Sequence, residues 1–344
     1  MADRGSAPAR VTAREGPAPP PQTPPPAALQ AAALQAAALD WYDAHGRDLA
    51  FRRTADPWAV LVSEVMAQQT QAARAAEAWT TFIERYPTPR SLAAASTADV
   101  IRAWRGLGYN RRAVALRAAA IRIAEDHGGE VPDALEALVG LPGIGPYTAR
   151  AVLAIAFGRG VAALDTNIRR VLDRAVGPLP GVPTAMQAVA DGWVPADRPA
   201  AWTHALMDIG ATICRKRDPR CEACPLRTLC RFAEGDQASP ASSRRAATER
   251  PAFESTTRWL RGRILDRLRD AEPEAWVTLD APLGRHDLGA VDRALAALAS
   301  EGFLERGVDL LSARLVAGCG HPTARSGGSA SGASAGRPSG TLPA

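Results

Sequence analysis

Leu141-Pro142-Gly143-Ile144-Gly145 sits between two apolar helical runs, one with Leu135 and Leu138 behind Asp133, the other over residues 148–157. Glycines in such a turn let the chain reverse tightly and let backbone N–H groups approach an anion at the start of the next helix. A plain helix–helix turn would use the same residues, so the stretch alone leaves both readings open. Further out, Asp56-Pro57 pairs a cap with a first-position proline and predicts a helix carrying Val60, Leu61, Val65 and Met66. Ser96 and Thr97 precede Asp99, Val100, Ile101 and Trp104, and residues 167–176 predict one more helix. No alternating strand run of useful length lies between residues 27 and 232, so this block reads as all-α.

The chain has 344 residues, 47% hydrophobic and 22% charged, with a formal net charge of +5. That length allows about two domains and a core that needs no disulfide staples. No uninterrupted apolar run reaches 18 residues and no signal-peptide order opens the chain, so the reading is a cytosolic, nucleoid-associated protein without a membrane span. Residues 1–26 are Pro/Ala-rich and predict a disordered arm, residues 233–252 a linker, and residues 317–344 a disordered Gly/Ser tail that holds Cys319. The second folded block, 253–316, predicts a helix over 256–269, a short strand over 276–279, a helix over 287–300 and a hairpin over 303–315 around Gly307. That is the order of a small winged-helix-like α+β module. Arg258, Arg261, Arg263, Arg267 and Arg269 lie along its first helix, as a DNA-binding face or a merely solvated one.

Four of the five cysteines, Cys214, Cys221, Cys224 and Cys230, follow a C-x6-C-x2-C-x5-C spacing. Such clustering points to a metal site, and the spacing permits either a four-thiolate zinc or an iron–sulfur cluster. Arg215, the sole lysine Lys216, Arg217 and Arg220 fall between the first two cysteines, where a metal-pinned loop would present them to phosphates. Some twenty residues after the Gly turn, Leu164-Asp165-Thr166-Asn167 opens a helix, and Asp165 there has the ordinary reading of an N-cap. Glu64, among Val62, Val65 and Met66, reads either as a solvated acid or as a partly buried one.

The turn, the later Asp and the cysteine cluster, in this order, resemble the helix–hairpin–helix DNA glycosylase superfamily. Within it, Glu64-Val65-Met66-Ala67-Gln68-Gln69-Thr70 and Trp104-Arg105-Gly106-Leu107-Gly108-Tyr109 resemble the MutY adenine glycosylases, over about residues 35–232. The resemblance implies a two-lobed all-α domain with a [4Fe–4S] cluster on Cys214, Cys221, Cys224 and Cys230. It further implies a monomer acting on double-stranded DNA that contains a mismatch or an oxidised base. By motif position Glu64 resembles the general acid that protonates adenine N7, and Asp165 the carboxylate that stabilises the cationic sugar. Asn167 would orient the sugar–phosphate or the attacking water. Gln69 and Tyr109 resemble the wedges beside the base opposite the excised adenine; Gly143, Gly145, Arg215, Lys216 and Arg217 are the expected backbone contacts.

Position 147 sets the reaction type. Relatives that also cleave the strand carry a lysine there for a Schiff base, which needs an amine; Tyr147 has none, so the expectation is a monofunctional glycosylase. Two departures stand out. Asn110 replaces the second tyrosine the family often has, and residues 253–316 are too few for its usual 8-oxoguanine-reading C-terminal domain. Tyr147 also resembles the thymine or uracil mismatch glycosylases of the same superfamily, and a non-catalytic lesion binder is a third reading.

Overall fold

A computed structural model describes residues 26–235 and 252–317, and thirteen α-helices carry most of them: α1 (Pro26–His45), α2 (Pro57–Ala67), α3 (Ala72–Arg85), α4 (Pro89–Ala94), α5 (Thr97–Ala103), α6 (Arg111–Asp126), α7 (Leu135–Val139), α8 (Pro146–Ala156), α9 (Thr166–Ala175), α10 (Pro183–Asp191), α11 (Pro199–Asp208), α12 (Thr257–Asp270) and α13 (Leu288–Ser300). Side-chain caps start several of them. Asp56 accepts from the Ala59 N–H at 2.7 Å, Ser96 from Asp99 at 3.0 Å, and Asp287 from Ala290 at 2.8 Å, each satisfying a donor that the first turn leaves open. The helix expected to run into Leu141 stops at Val139, where the Gly140 N–H closes it on the Glu136 carbonyl at 3.0 Å. The predicted arm and tail and nearly all of the predicted linker lie outside the described residues, as does Cys319. Among the described residues no helix is long and apolar enough to cross a membrane.

Burial divides the helices into two lobes. One apolar core is built from α2–α8, with Trp58, Leu61, Met66, Phe82, Ile101, Trp104, Leu116 and Val152 at its centre. The other joins α1 to α9–α11 through Leu34, Ala38, Ile168, Leu172, Trp202 and Leu206. The amino-terminal helix thus returns to pack on α11. Between the lobes, Asp208 at the end of α11 is fully buried and holds two arginines from the segment before α2. Arg52 reaches it at 2.7 and 2.8 Å, and the Arg47 backbone and side chain at 2.9 and 2.6 Å.

The 252–317 segment has the expected element order: α12, β1 (Val277–Thr278), α13, β2 (Leu304–Arg306) and β3 (Ser312–Leu315). Its sheet is antiparallel in the order β1-β3-β2, with Val277 opposite Ala313 and Leu304 opposite Leu315. The segment does not form a core of its own. Leu260, Ile264, Leu268, Leu298 and Phe303 join the same apolar cluster as α2–α8. Hydrogen bonds follow the packing: Ala98 N–H donates to the Val316 carbonyl at 2.9 Å, and the buried Arg269 donates to the Ile101 carbonyl at 2.9 Å and to Asn110 Oδ1 at 2.8 Å.

Candidate active site

Helix α2 is buried from Trp58 to Met66 because α3 and α8 pack on it, and this carries Glu64 out of water. Its carboxyl hydrogen-bonds with the Tyr147 hydroxyl. Burial raises Glu64 to about 7, with the negative charge of Asp165 adding to the rise, while Tyr147 and the buried Arg52 pull the other way. Burial thus favours the protonated form of Glu64 far above the usual carboxylate range. Tyr147 stays a neutral phenol, because burial, Glu64 and Asp165 all raise it. Gln68, one turn beyond Glu64, donates to Thr148 Oγ1 at 3.2 Å and ties the end of α2 to the start of α8.

Asp165 keeps the ordinary cap geometry and faces the acid as well. Its Oδ1 accepts from the backbone N–H groups of Asn167 and Ile168 at 2.9 and 2.6 Å, and its Oδ2 accepts from Asn167 Nδ2 at 3.0 Å. Arg170 fixes the other end of that amide, donating to Asn167 Oδ1 at 2.8 Å and to the Gly210 carbonyl at 2.7 Å. A side chain at Gly210 would place its Cβ 2.7 Å from that of Asn167. Glu64 and Tyr147 belong to one lobe and Asp165 and Asn167 to the other, so the two carboxyls act on one another only while the lobes stay together.

Gln69 and Tyr109 are both exposed and both left-handed, at φ 53° and 44°. Left-handed backbone is unfavourable for residues other than glycine and persists only where the surroundings impose it. Here Arg112 imposes it. One guanidinium nitrogen donates to the carbonyls of Val65, Met66 and Gln68 at 2.6–2.9 Å, and the other to those of Leu107 and Gly108 at 3.1 and 3.2 Å. The cation closes the carboxyl end of α2, where the helix dipole favours it. Arg258 of α12 lies over the Tyr109 ring at 4.4 Å and donates to its hydroxyl at 3.2 Å.

The turn before α8 also behaves as the sequence requires. Gly143 has φ +77°, and a Cβ there would lie 2.7 Å from Ala115 Cβ. Gly145 is the N-cap of α8 with no side chain on the first-turn donors, and both glycines are exposed. Elsewhere, Cys214, Cys221, Cys224 and Cys230 line one cavity together with Val171, Arg174 and Ile213. Burial raises Cys224 to about 11, and the other three cysteines add to the rise, so the four sulfurs share one site. Among the described residues no group of three or more His, Cys, Asp or Glu side chains is placed to hold a metal ion; the four cysteines share the lining of one cavity. Lys216 and Arg217 are exposed at the mouth of that loop, while Arg215 is half-buried and donates to the Asp218 carbonyl at 2.8 Å.

Sequence reasoning missed Arg52, Arg112, Arg170 and Asp208. Each acts across a fold contact, and nothing distinguishes one arginine from the forty in this chain. The arginines of α12 form one run in the sequence, and the structure separates them. Arg269 is buried, Arg261, Arg263 and Arg267 pair with Glu301, Asp266 and Asp280, and Arg258 goes to Tyr109.

Residues 62–195 match the family described as HhH-GPD superfamily base excision DNA repair protein. The adenine DNA glycosylase of Mycobacterium tuberculosis is 42% identical over 285 residues, 79% of this chain and 90% of that protein. A solved thermostable thymine-DNA glycosylase superposes with a TM-score of 0.57 at 29% identity, covering 60% of this chain and 98% of the other. An endonuclease III trapped in a covalent intermediate with DNA gives a TM-score of 0.51 at 26% identity, covering 59% of this chain and 94% of the other.

Proposed function

Because the chain belongs to the HhH-GPD superfamily, and within it to the adenine DNA glycosylases, we propose that it releases adenine paired with 8-oxoguanine or guanine by hydrolysing the N-glycosidic bond, without cutting the strand. The observation that carries the reading is Glu64, a buried carboxyl raised to about 7 and hydrogen-bonded with Tyr147. A purine leaves more easily once N7 is protonated, and a group that titrates near the working pH suits that transfer. A pyrimidine offers no N7.

The adenine is turned out of the stack and N7 takes the proton from Glu64. The C1′–N9 bond then breaks with its electron pair going to the base, and positive charge develops on the sugar. Asp165 stands across from Glu64 to stabilise that cation, as paired carboxyls of unlike environment do in glycoside hydrolysis. Asn167, held at both ends of its amide, orients the sugar–phosphate or the incoming water. Tyr147 holds the acid and has no amine for a Schiff base. Gln69 and Tyr109 fill the gap left in the duplex, while the backbone at Gly143 and Gly145 and the side chains of Arg215, Lys216 and Arg217 take phosphates.

Cys214, Cys221, Cys224 and Cys230 would hold a [4Fe–4S] cluster, whose bonds to the thiolates would fix the loop that carries those cations. The small C-terminal segment reads as a winged-helix-like module, and the protein as a monomer on double-stranded DNA. The thymine-DNA glycosylase of Aeropyrum pernix is 35% identical over 58% of this chain, against 42% over 79% for the adenine enzyme. Single-turnover excision on A·8-oxoG, A·G, T·G and U·G duplexes tests the proposal. The expected result is adenine release, with strand breaks only after alkali. Release of T or U overturns it.

A further inference from the structure

The turn that carries Tyr109 is left-handed at three of its four residues, with φ of 84° at Gly106, 67° at Gly108 and 44° at Tyr109. A side chain at Gly106 or Gly108 would meet nothing within 4 Å, so packing does not brace those positions. Arg112 holds the carbonyls of Leu107 and Gly108. That fixes the chain before Tyr109 and does not reach the residue after it.

The C-terminal segment reaches it. Arg269 of α12, only 7% exposed, donates to Asn110 Oδ1 at 2.8 Å and to the Ile101 carbonyl at 2.9 Å. Asn110, where the family often has a second tyrosine, is thus the acceptor for a buried cation. Arg258, at the start of the same helix, lies over the Tyr109 ring at 4.4 Å and donates to its hydroxyl at 3.2 Å. Arg261, Arg263 and Arg267 pair with carboxylates; Arg258 has no carboxylate partner among the described residues. Two more pairs join the turn to the segment, Arg105 with Asp270 at 2.6 Å and Arg111 with Glu301 at 2.7 Å. Both of those arginines are exposed, and exposed ion pairs contribute little. The hold therefore falls to the buried, charge-assisted bond on Asn110 and to the cation on the Tyr109 ring.

We infer that Arg258 and Arg269 are positioning residues for the wedge: acting through Tyr109 and Asn110, they set the Tyr109 ring for entry into the duplex before DNA arrives. The inference rests on the proposed glycosylase function, in which Tyr109 fills the gap beside the displaced base. A ring already ordered in the unbound protein does not have to be ordered on binding, so the hold is read as affinity.

A double-mutant cycle on the full-length protein tests it. Arg258→Ala and Tyr109→Ala, alone and together, are bound to an A·8-oxoG duplex whose adenosine carries a 2′-fluorine, which slows bond breaking by opposing positive charge on the sugar. Arg258 is exposed, so its removal leaves the core intact. Arg258→Ala is expected to weaken binding about tenfold when Tyr109 is present and less than about twofold in the Tyr109→Ala background. The slope of log affinity against log salt should stay unchanged. Asn110→Ala, which takes the acceptor from Arg269, is expected to show the same dependence on Tyr109. Damage to the scaffold would weaken both backgrounds alike. A phosphate contact by Arg258 would do so too, and would lower the salt slope by about one. Either result overturns the inference, as does tighter binding by Arg258→Ala. Adenine release by the wild type from the same duplex without fluorine separates the two proposals. Coupling without release defeats the enzymatic proposal and leaves the wedge positioned by α12; release without coupling defeats the positioning alone.

Discussion

As the proposed general acid Glu64 would need a proton, and burial favours one at a cost to the fold. Its folded value of about 7 lies above the ordinary 4.5, so the folded chain holds a proton that the unfolded chain releases. That contribution to stability is complete below about pH 4.5 and is lost as pH rises through 7. Glu64→Gln keeps the shape and removes the titration. By pH 8 it is expected to exceed the wild type in stability by about 3 kcal/mol relative to their difference at pH 4, since each pKa unit corresponds to about 1.4 kcal/mol. Urea unfolding at the two pH values reads this directly. Adenine release by the same variant should fall about 10²–10⁴-fold, the usual contribution of a general acid. Wild-type release should decline above pH 7. Equal stability curves for the two proteins would mean that Glu64 is not held protonated.

At the level of elements, the start of α9 is set by two close contacts, Asp165 capping its own helix and Gly210 lying against Asn167. Gly210→Ala puts a methyl 2.7 Å from Asn167 Cβ, an overpacking that costs about 1–3 kcal/mol. The shift falls on Asn167 and Asp165, so excision is expected to slow at least tenfold while affinity for uncleaved duplex stays within about twofold. A lower Tm with an unchanged excision rate would make Gly210 structural only. What the sequence made legible is of this short range. Asp56, Ser96 and Asp287 cap helices two or three residues away, and Gly143 needs its φ of +77° for a turn that its neighbours already spell out. Arg112 was not legible, because its carbonyl partners at Val65, Met66 and Gln68 lie 44 to 47 residues away. Nor was the seat of the C-terminal segment on the first core, since helical periodicity reports that a face is apolar and not what covers it. The opposed roles of Glu64 and Asp165 came from motif resemblance; their unlike environments required the fold.

For the molecule as a whole, the join between lobes is a chemical question as well as a mechanical one. Asp208, with no exposed surface, is held below the usual carboxylate range by hydrogen bonds and charge from Arg52 and Arg47 that outweigh its burial. Its contribution to stability is present above an ordinary aspartate's range and is lost as pH falls through the lowered value. Asp208→Asn leaves Arg52 buried without a counter-charge, a loss expected at about 3–5 kcal/mol in denaturant unfolding. The second consequence reaches the acid. Arg52 already lowers Glu64, and without Asp208 its charge acts on that carboxyl unopposed. Glu64 then gives up its proton at lower pH, so the decline in adenine release should begin below the wild-type value as well as starting from a slower rate. A profile that keeps its midpoint while the protein loses stability would show that Asp208 only ties the lobes. A midpoint moved downward would show that the same arginine both joins the lobes and sets the proton affinity of the acid between them.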